Sequence, residues 1–223
     1  MKNKLKEFEA VVFDMDGVIF DSERCVLECW VLLAETYGIP DIEKNFFACT
    51  GTTAIRTREI MMEAYGPDFH YDEFARKASV LFHEKYDNGN LPIKSGVFEL
   101  LEYLKTSKKK IALATSTRKQ TVMHELEDAG ILGFFDEIIT GDMVKHSKPD
   151  PEIYLMACQK TDTLPEYAYA IEDSYNGVLS AYRGGLRAIM VPDLLPPNDL
   201  MIESTEAILS SLIDVKEYLI KVE

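Results

Sequence analysis

The sequence predicts an α/β fold: a parallel sheet covered on both faces, with a block of helices inserted between its first and second strands. Three observations predict it. Short apolar runs recur at Ala10–Phe13, Ile111–Ala114, Glu137–Ile139, Tyr169–Ile171 and Ala188–Val191. Helical patterns of ten or more residues separate the later runs, and alternation of that kind builds parallel sheets. The interval from Ser22 to about Asn90 breaks the alternation, with helical stretches and no convincing strand.

Each element has local support. The first strand ends on Asp14, at the start of "DMDGVIFDSE". Ser22 opens a helix that reaches Tyr37 and is closed by Gly38 and Pro40, since glycine suits the left-handed residue after a helix. Further helical stretches follow at roughly 52–65 and 71–86. Residues 21–89 therefore read as a small helical cap, and residues 1–20 with 90–223 as the core. The crossings near Phe20-Asp21 and Asn88-Gly89-Asn90 are expected to act as hinges, so that the cap serves as a lid. After the second strand, Thr117-Arg118-Lys119-Gln120 reads as a capping box and Gly130 as the matching C-terminal cap. Asp150-Pro151 gives an N-cap followed by proline at the first helical position. Ser174 is placed to cap the helix that runs to Gly184-Gly185.

Composition narrows the class of function. A chain of 223 residues with 47% hydrophobic residues has ample material for a core. The formal charge, 24 − 38 = −14, repels nucleic acid and anionic lipid, so neither is an expected partner. It also repels phosphorylated metabolites, so any phosphate site must be locally positive. The basic cluster of Lys105, Lys108, Lys109 and Lys110 is expected to be a solvated helix end. The four cysteines lack metal or redox spacing. Cys25 and Cys29 share a helix face with Trp30 and Leu33 and read as small core hydrophobes. "MKNKLKEFEA" has no apolar stretch behind it long enough for a signal peptide, and no segment approaches the ~20 apolar residues that cross a bilayer. The protein is expected to be cytoplasmic and a monomer.

In an open parallel sheet, ligands bind beyond the carboxyl ends of the strands. Four segments deliver polar residues to that rim: Asp14 and Asp16 after the first strand, Thr115 and Ser116 after the second, Lys148 in "HSKPDP" after the third, and Glu172 and Asp173 after the fourth. Four carboxylates crowded together need a cation, and oxygen-only ligands beside phosphate select a hard one such as Mg2+. An aspartate can act as nucleophile by forming an aspartyl-phosphate. A second carboxyl two residues on can protonate the leaving oxygen and then deprotonate water. A lysine and a hydroxyl can hold the phosphoryl oxygens as charge develops. Each segment alone has a plainer reading as a turn, a cap or a surface loop. Together, in this order at four strand ends, they specify one site.

These residues resemble the motifs of the haloacid dehalogenase superfamily, in its small helical-cap phosphatase and β-phosphoglucomutase-like branch. "DMDGVIFDSE" is similar to the first motif, "IALATS" to the second, "SKPDP" to the third and "IEDS" to the fourth. The resemblance implies a Rossmann-like sheet in the order 3-2-1-4-5 with the cap between the first two motifs. It implies Asp14 as nucleophile, Asp16 as acid and base, and Thr115, Ser116 and Lys148 as phosphate ligands. Magnesium would be held by Asp14, the Asp16 carbonyl and Asp173, with Glu172 close by. The implied activity is hydrolysis of a small phosphorylated metabolite such as a sugar phosphate. Two alternatives stay open: a phosphosugar mutase, and an inactive module that binds phosphate or a partner.

The dehalogenases of the superfamily lack the second aspartate, so Asp16 argues against that chemistry. The mutases carry lysine and arginine in a cap loop and a histidine in the first cap helix; aligned on Gly51, the lysine and arginine positions hold Thr50 and Ala54, and counted from Asp14 the histidine position holds Val26. Gly51, Arg56, Arg58 and Lys77 are the cap residues expected to meet substrate, although Arg56 has equal standing as a solvated partner of Glu59 or Glu63. His83 is expected to be structural and His146 an exposed loop residue.

Overall fold

The computed structural model describes residues 7–52 and 54–223. The lysine-bearing N-terminus, which opens the expected core, and Thr53 of the second cap stretch lie outside the described residues. The chain forms two compact units, one up to Phe20 together with Ile93–Glu223, the other Asp21–Pro92. In chain order the elements are β1 Ala10–Phe13, α1 Ser22–Tyr37, α2 Ile42–Cys49, α3 Ala54–Tyr65, α4 Tyr71–Tyr86, α5 Val97–Thr106, β2 Lys110–Ala114 and α6 Lys119–Asp128. There follow β3 Glu137–Ile139, α7 Glu152–Lys160, β4 Ala168–Glu172, α8 Tyr175–Arg183, β5 Arg187–Met190, α9 Asp199–Ser204, β6 Ala207–Ile208 and α10 Leu212–Val222.

The larger unit is built on a parallel sheet in the order β3-β2-β1-β4-β5-β6. The expected order 3-2-1-4-5 holds for five strands, and the short β6 adds a sixth at the edge. The central strands are buried along their whole length, β1 as Ala-Val-Val-Phe and β4 as Ala-Tyr-Ala-Ile-Glu, because helices cover both faces of a parallel sheet. Ile153, Tyr154 and Ala157 of α7 pack with Val178 and Ala181 of α8 against Val12, Ala112 and Ala170. On α5, Val97, Leu100, Leu101 and Leu104 are buried at helical spacing, and α10 buries Leu212, Val215 and Leu219.

The smaller unit consists of α1 to α4 around Trp30. That ring meets Phe46 at 5.1 Å and Phe74 at 5.2 Å, both edge to face, the geometry that aromatic quadrupoles favour. Cys25, Cys29, Cys49 and Met61 complete the interior. Among the described residues, no helix is long and apolar enough to cross a membrane.

Three local expectations need correction. Thr117 does not cap α6: the helix starts at Lys119, and Lys119 N donates instead to Asp142 Oδ1 at 3.1 Å. Asp142 is itself held by the Thr140 hydroxyl at 2.6 Å, so a neighbouring loop supplies the cap. Proline 151 stands just outside α7, and the Asp150 side chain accepts from Glu152 N at 3.0 Å. Lys109 is not solvated: its ammonium donates to Phe8 O, pairs with Glu223 at 3.0 Å and lies over the Phe8 ring.

Candidate active site

The rim at the carboxyl ends of β1, β2 and β4 gathers the polar residues of the larger unit. Parallel pairing continues one residue past β1, with Asp14 N donating to Ile171 O at 3.0 Å, and past β2, with Thr115 N donating to Ile139 O at 3.0 Å. Asp14 and Thr115 are therefore placed by the sheet itself.

Lys148 is the hub. Its ammonium donates to Asp14 Oδ1 at 2.6 Å, to Glu172 Oε1 at 2.6 Å and to Ala114 O at 2.9 Å. Only 7% of its side chain is exposed, so water screens these contacts little. Burial alone would push the lysine down, but Asp14 and then Glu172 hold it above the usual lysine range. It stays charged.

Glu172 is completely buried and fully engaged. Oε1 also accepts from Tyr154 OH at 2.7 Å, and Oε2 accepts from Asp173 N at 3.2 Å and from the Ser174 hydroxyl at 3.1 Å. Burial, followed by the Glu172 charge, keeps the Tyr154 hydroxyl protonated well above the ordinary tyrosine range. Ser174 also accepts from Gly177 N at 3.1 Å and so caps α8 as the sequence predicts. Gly177 lets the helix approach: a Cβ there would lie 1.9 Å from the Glu172 carboxyl carbon. Gly177→Ala is therefore expected to lower stability by about 1–3 kcal/mol, the usual range for overpacking a core. A melting temperature equal to the parent's would show that α8 can retreat.

The loop after β1 is shaped by Gly17, whose φ is +77° and whose absent Cβ would lie 2.3 Å from Asp173 Oδ2. It thereby admits the Asp173 carboxylate beside the first motif. Carboxyl oxygens of Asp14, Glu172 and Asp173 lie within 4.8 Å of one another. Burial, then Glu172 and Asp16, push the Asp14 carboxyl up to about 8 against the opposing pull of Lys148. One ammonium thus leaves the cluster with excess negative charge. An oxygen-only set in that electrostatic state fits a divalent cation, with Asp14 and Asp173 placed to hold it.

Asp16 is half buried, and its Oδ2 accepts from the Thr117 hydroxyl at 2.7 Å. Thr115 is buried and Ser116 exposed at the end of β2. The structure therefore places Asp14, Asp16, Thr115, Ser116, Lys148, Glu172 and Asp173 on one rim. The sequence reading missed Tyr154 and Thr117. Tyr154 lies on the buried face of α7 with Ile153 and Ala157, where only its aromatic bulk is legible.

The cap residues are not brought together in this way. Gly51 follows α2 with φ +74°. Arg56 pairs with Glu59 at 2.9 Å and Glu63 at 3.2 Å along its own helix. Arg58 pairs with Asp72 at 3.3 Å. Lys77, on α4, meets Glu73 at 2.9 Å and Tyr37 OH at 2.8 Å. His83 pairs with Asp87 near the end of α4, and the exposed His146 pairs with Glu152.

Residues 11–191 match the family of haloacid dehalogenase-like hydrolases. A phosphorylated carbohydrates phosphatase of Thermotoga maritima is 35% identical over 184 residues, covering 81% of this chain and 83% of that one. A validoxylamine A 7'-phosphate phosphatase of Streptomyces hygroscopicus subsp. limoneus is 30% identical over 186 residues, covering 80% and 83%. Among solved structures, a β-phosphoglucomutase of Clostridium difficile superposes with a TM-score of 0.73 at 25% identity, covering 96% of each chain.

Proposed function

The chain belongs to the haloacid dehalogenase-like hydrolases, and from that premise we propose that it is a magnesium-dependent phosphatase of a small phosphorylated metabolite, a sugar phosphate, working through an aspartyl-phosphate. The observation that carries the reading is the buried ammonium of Lys148 bridging Asp14 and Glu172.

The steps follow from the residues. An Asp14 carboxylate oxygen attacks phosphorus as the bond to the sugar oxygen breaks. Asp16 gives a proton to that oxygen, so the sugar leaves as an alcohol. Asp16 then takes a proton from water as the water attacks phosphorus, which frees phosphate and restores Asp14. Lys148, the Thr115 hydroxyl and the Ser116 N–H stabilise the charge on the phosphoryl oxygens. Magnesium, held by Asp14, Asp173 and the Asp16 carbonyl with Glu172 behind, would supply Lewis-acid stabilisation of that charge.

A mutase reading is favoured by the likeness to a β-phosphoglucomutase. Both reactions share the aspartyl-phosphate and differ in which oxygen attacks it. A mutase must hold a bisphosphorylated sugar by its distal phosphate, which calls for strong cations on the cap. Thr50, Ala54 and Val26 stand at the positions of the mutase lysine, arginine and histidine, and Arg56 and Arg58 are each paired with carboxylates. Water is therefore the expected acceptor. Supplied with β-glucose 1-phosphate and a trace of the 1,6-bisphosphate, the enzyme should release phosphate faster than it forms glucose 6-phosphate. The reverse order would establish the mutase, and no magnesium-dependent phosphate release from p-nitrophenyl phosphate would leave only a binding module.

A further inference from the structure

We propose that Thr117 is a positioning residue for the proton transfers of Asp16, an inference that rests on the reading of Asp16 as acid and base. In sequence, Thr117 heads a capping pattern, yet α6 takes its cap from Asp142. The Thr117 hydroxyl instead crosses from the end of the second strand to the first motif and donates to Asp16 Oδ2 at 2.7 Å.

The backbone that carries this hydroxyl is fixed from two sides. Thr117 N donates to Thr115 Oγ1 at 3.1 Å, and Thr117 O accepts from Gly141 N at 3.0 Å. Gly141 comes this close because it has no side chain: a Cβ would lie 2.1 Å from Ser116 O. Threonine adds its own stiffness at χ1. The hydroxyl therefore arrives at Asp16 from a direction set by two strand-end loops, those after β2 and β3.

A carboxyl group has two oxygens, and acid catalysis needs the proton on the one that faces the leaving group. A hydroxyl that donates to Oδ2 marks that oxygen as an acceptor, so the transferable proton sits on Oδ1. It also limits rotation about the last side-chain bond of Asp16. Without the hydroxyl, this constraint on the Asp16 carboxyl is lost. A loss of this kind falls on steps that need a proton delivered, and spares steps that do not.

Leaving-group dependence reads that difference. p-Nitrophenolate departs as an anion and needs no proton, whereas the alkoxide of glucose 6-phosphate needs one. Thr117→Val, which keeps the shape and removes the hydroxyl, is expected to lower kcat/KM for glucose 6-phosphate about tenfold or more. It should change kcat/KM for p-nitrophenyl phosphate less than about threefold, since positioning is one part of the ~10²–10⁴-fold that general acid catalysis contributes. Thr117→Ser should restore the parent ratio. Equal losses on both substrates, or no loss on either, would overturn the proposal and leave Thr117 a packing residue. Should Thr117→Val not fold, Thr117→Ala gives the same ratio. Asp16→Asn serves as the reference: its selectivity against the alkyl phosphate should exceed that of Thr117→Val. If Asp16→Asn is selective and the Thr117 variants are not, the inference alone fails; if Asp16→Asn is not selective, the acid and base reading fails with it.

Discussion

Asp14→Asn is expected to fold like the parent protein and to lose turnover by roughly a thousandfold or more, the scale seen when a nucleophile is removed. The amide has the shape of the carboxyl but cannot form an acyl-phosphate. Its fold should survive because the charge count improves. Asp14 binds its proton more tightly in the folded chain, with its carboxyl pushed up to about 8, than in an unfolded one. Near pH 7 the unfolded chain is ionised there and the folded, metal-free chain is largely not, so this group costs stability above the ordinary carboxylate range. Removing it leaves Lys148 and Glu172 as a one-to-one pair at 2.6 Å. Without metal, Asp14→Asn should therefore melt no lower than the parent. Steady-state phosphate release beside a thermal melt checks both halves, and a folded variant that keeps a tenth of the parent rate would remove Asp14 as the nucleophile.

Lys148→Ala should fail in the opposite way, losing rate and stability together. Loss of one preorganised electrostatic donor typically lowers the rate on the order of a hundredfold or more. Here it also strands the buried Glu172 without its counter-charge, next to a buried Asp14. Breaking a buried pair by deleting one partner costs about 3–5 kcal/mol. The same two measurements apply, and the pair of variants separates chemistry from folding: one should be dead and stable, the other slow and unstable. A parent-like rate in Lys148→Ala would reduce Lys148 to a structural counter-ion.

Much of this was legible in the sequence because the signals were local and redundant. The run Ala-Val-Val-Phe followed by Asp-Met-Asp marks both a buried strand and the residues at its end, and β1 has the predicted bounds. Ser174 needed only its neighbours on α8 to serve as a cap. What escaped depends on partners distant along the chain. Thr117 has a good local cap available, yet its hydroxyl bonds to Asp16, 101 positions away. The Tyr154 hydroxyl finds Glu172 across the core. α2 has eight residues and starts after Asp41 in a left-handed conformation without a side-chain cap, so its apolar spacing is too short to stand out. β6 has only two residues and exists because β5 pairs with it. On the cap, the pairing of Arg56 with Glu59 and Glu63 was legible at helical spacing, whereas that of Arg58 was hidden, since Asp72 belongs to a different helix.

The place of β1 in the middle of the sheet has a consequence for how the chain is made. β1 leaves the ribosome before both of the strands that flank it, β2 and β4. Its second neighbour starts at Ala168, late in a chain of 223 residues. At the usual pace of about 5–20 residues per second, the wait is on the order of ten seconds. During that time one edge of an apolar strand lacks its final partner, the condition in which strands of different chains pair with one another. Nascent chains stalled before Ala168 should therefore be the species most in need of a chaperone. Contacts this far apart in sequence also make the refolding of the full chain slow relative to a helical bundle of similar stability.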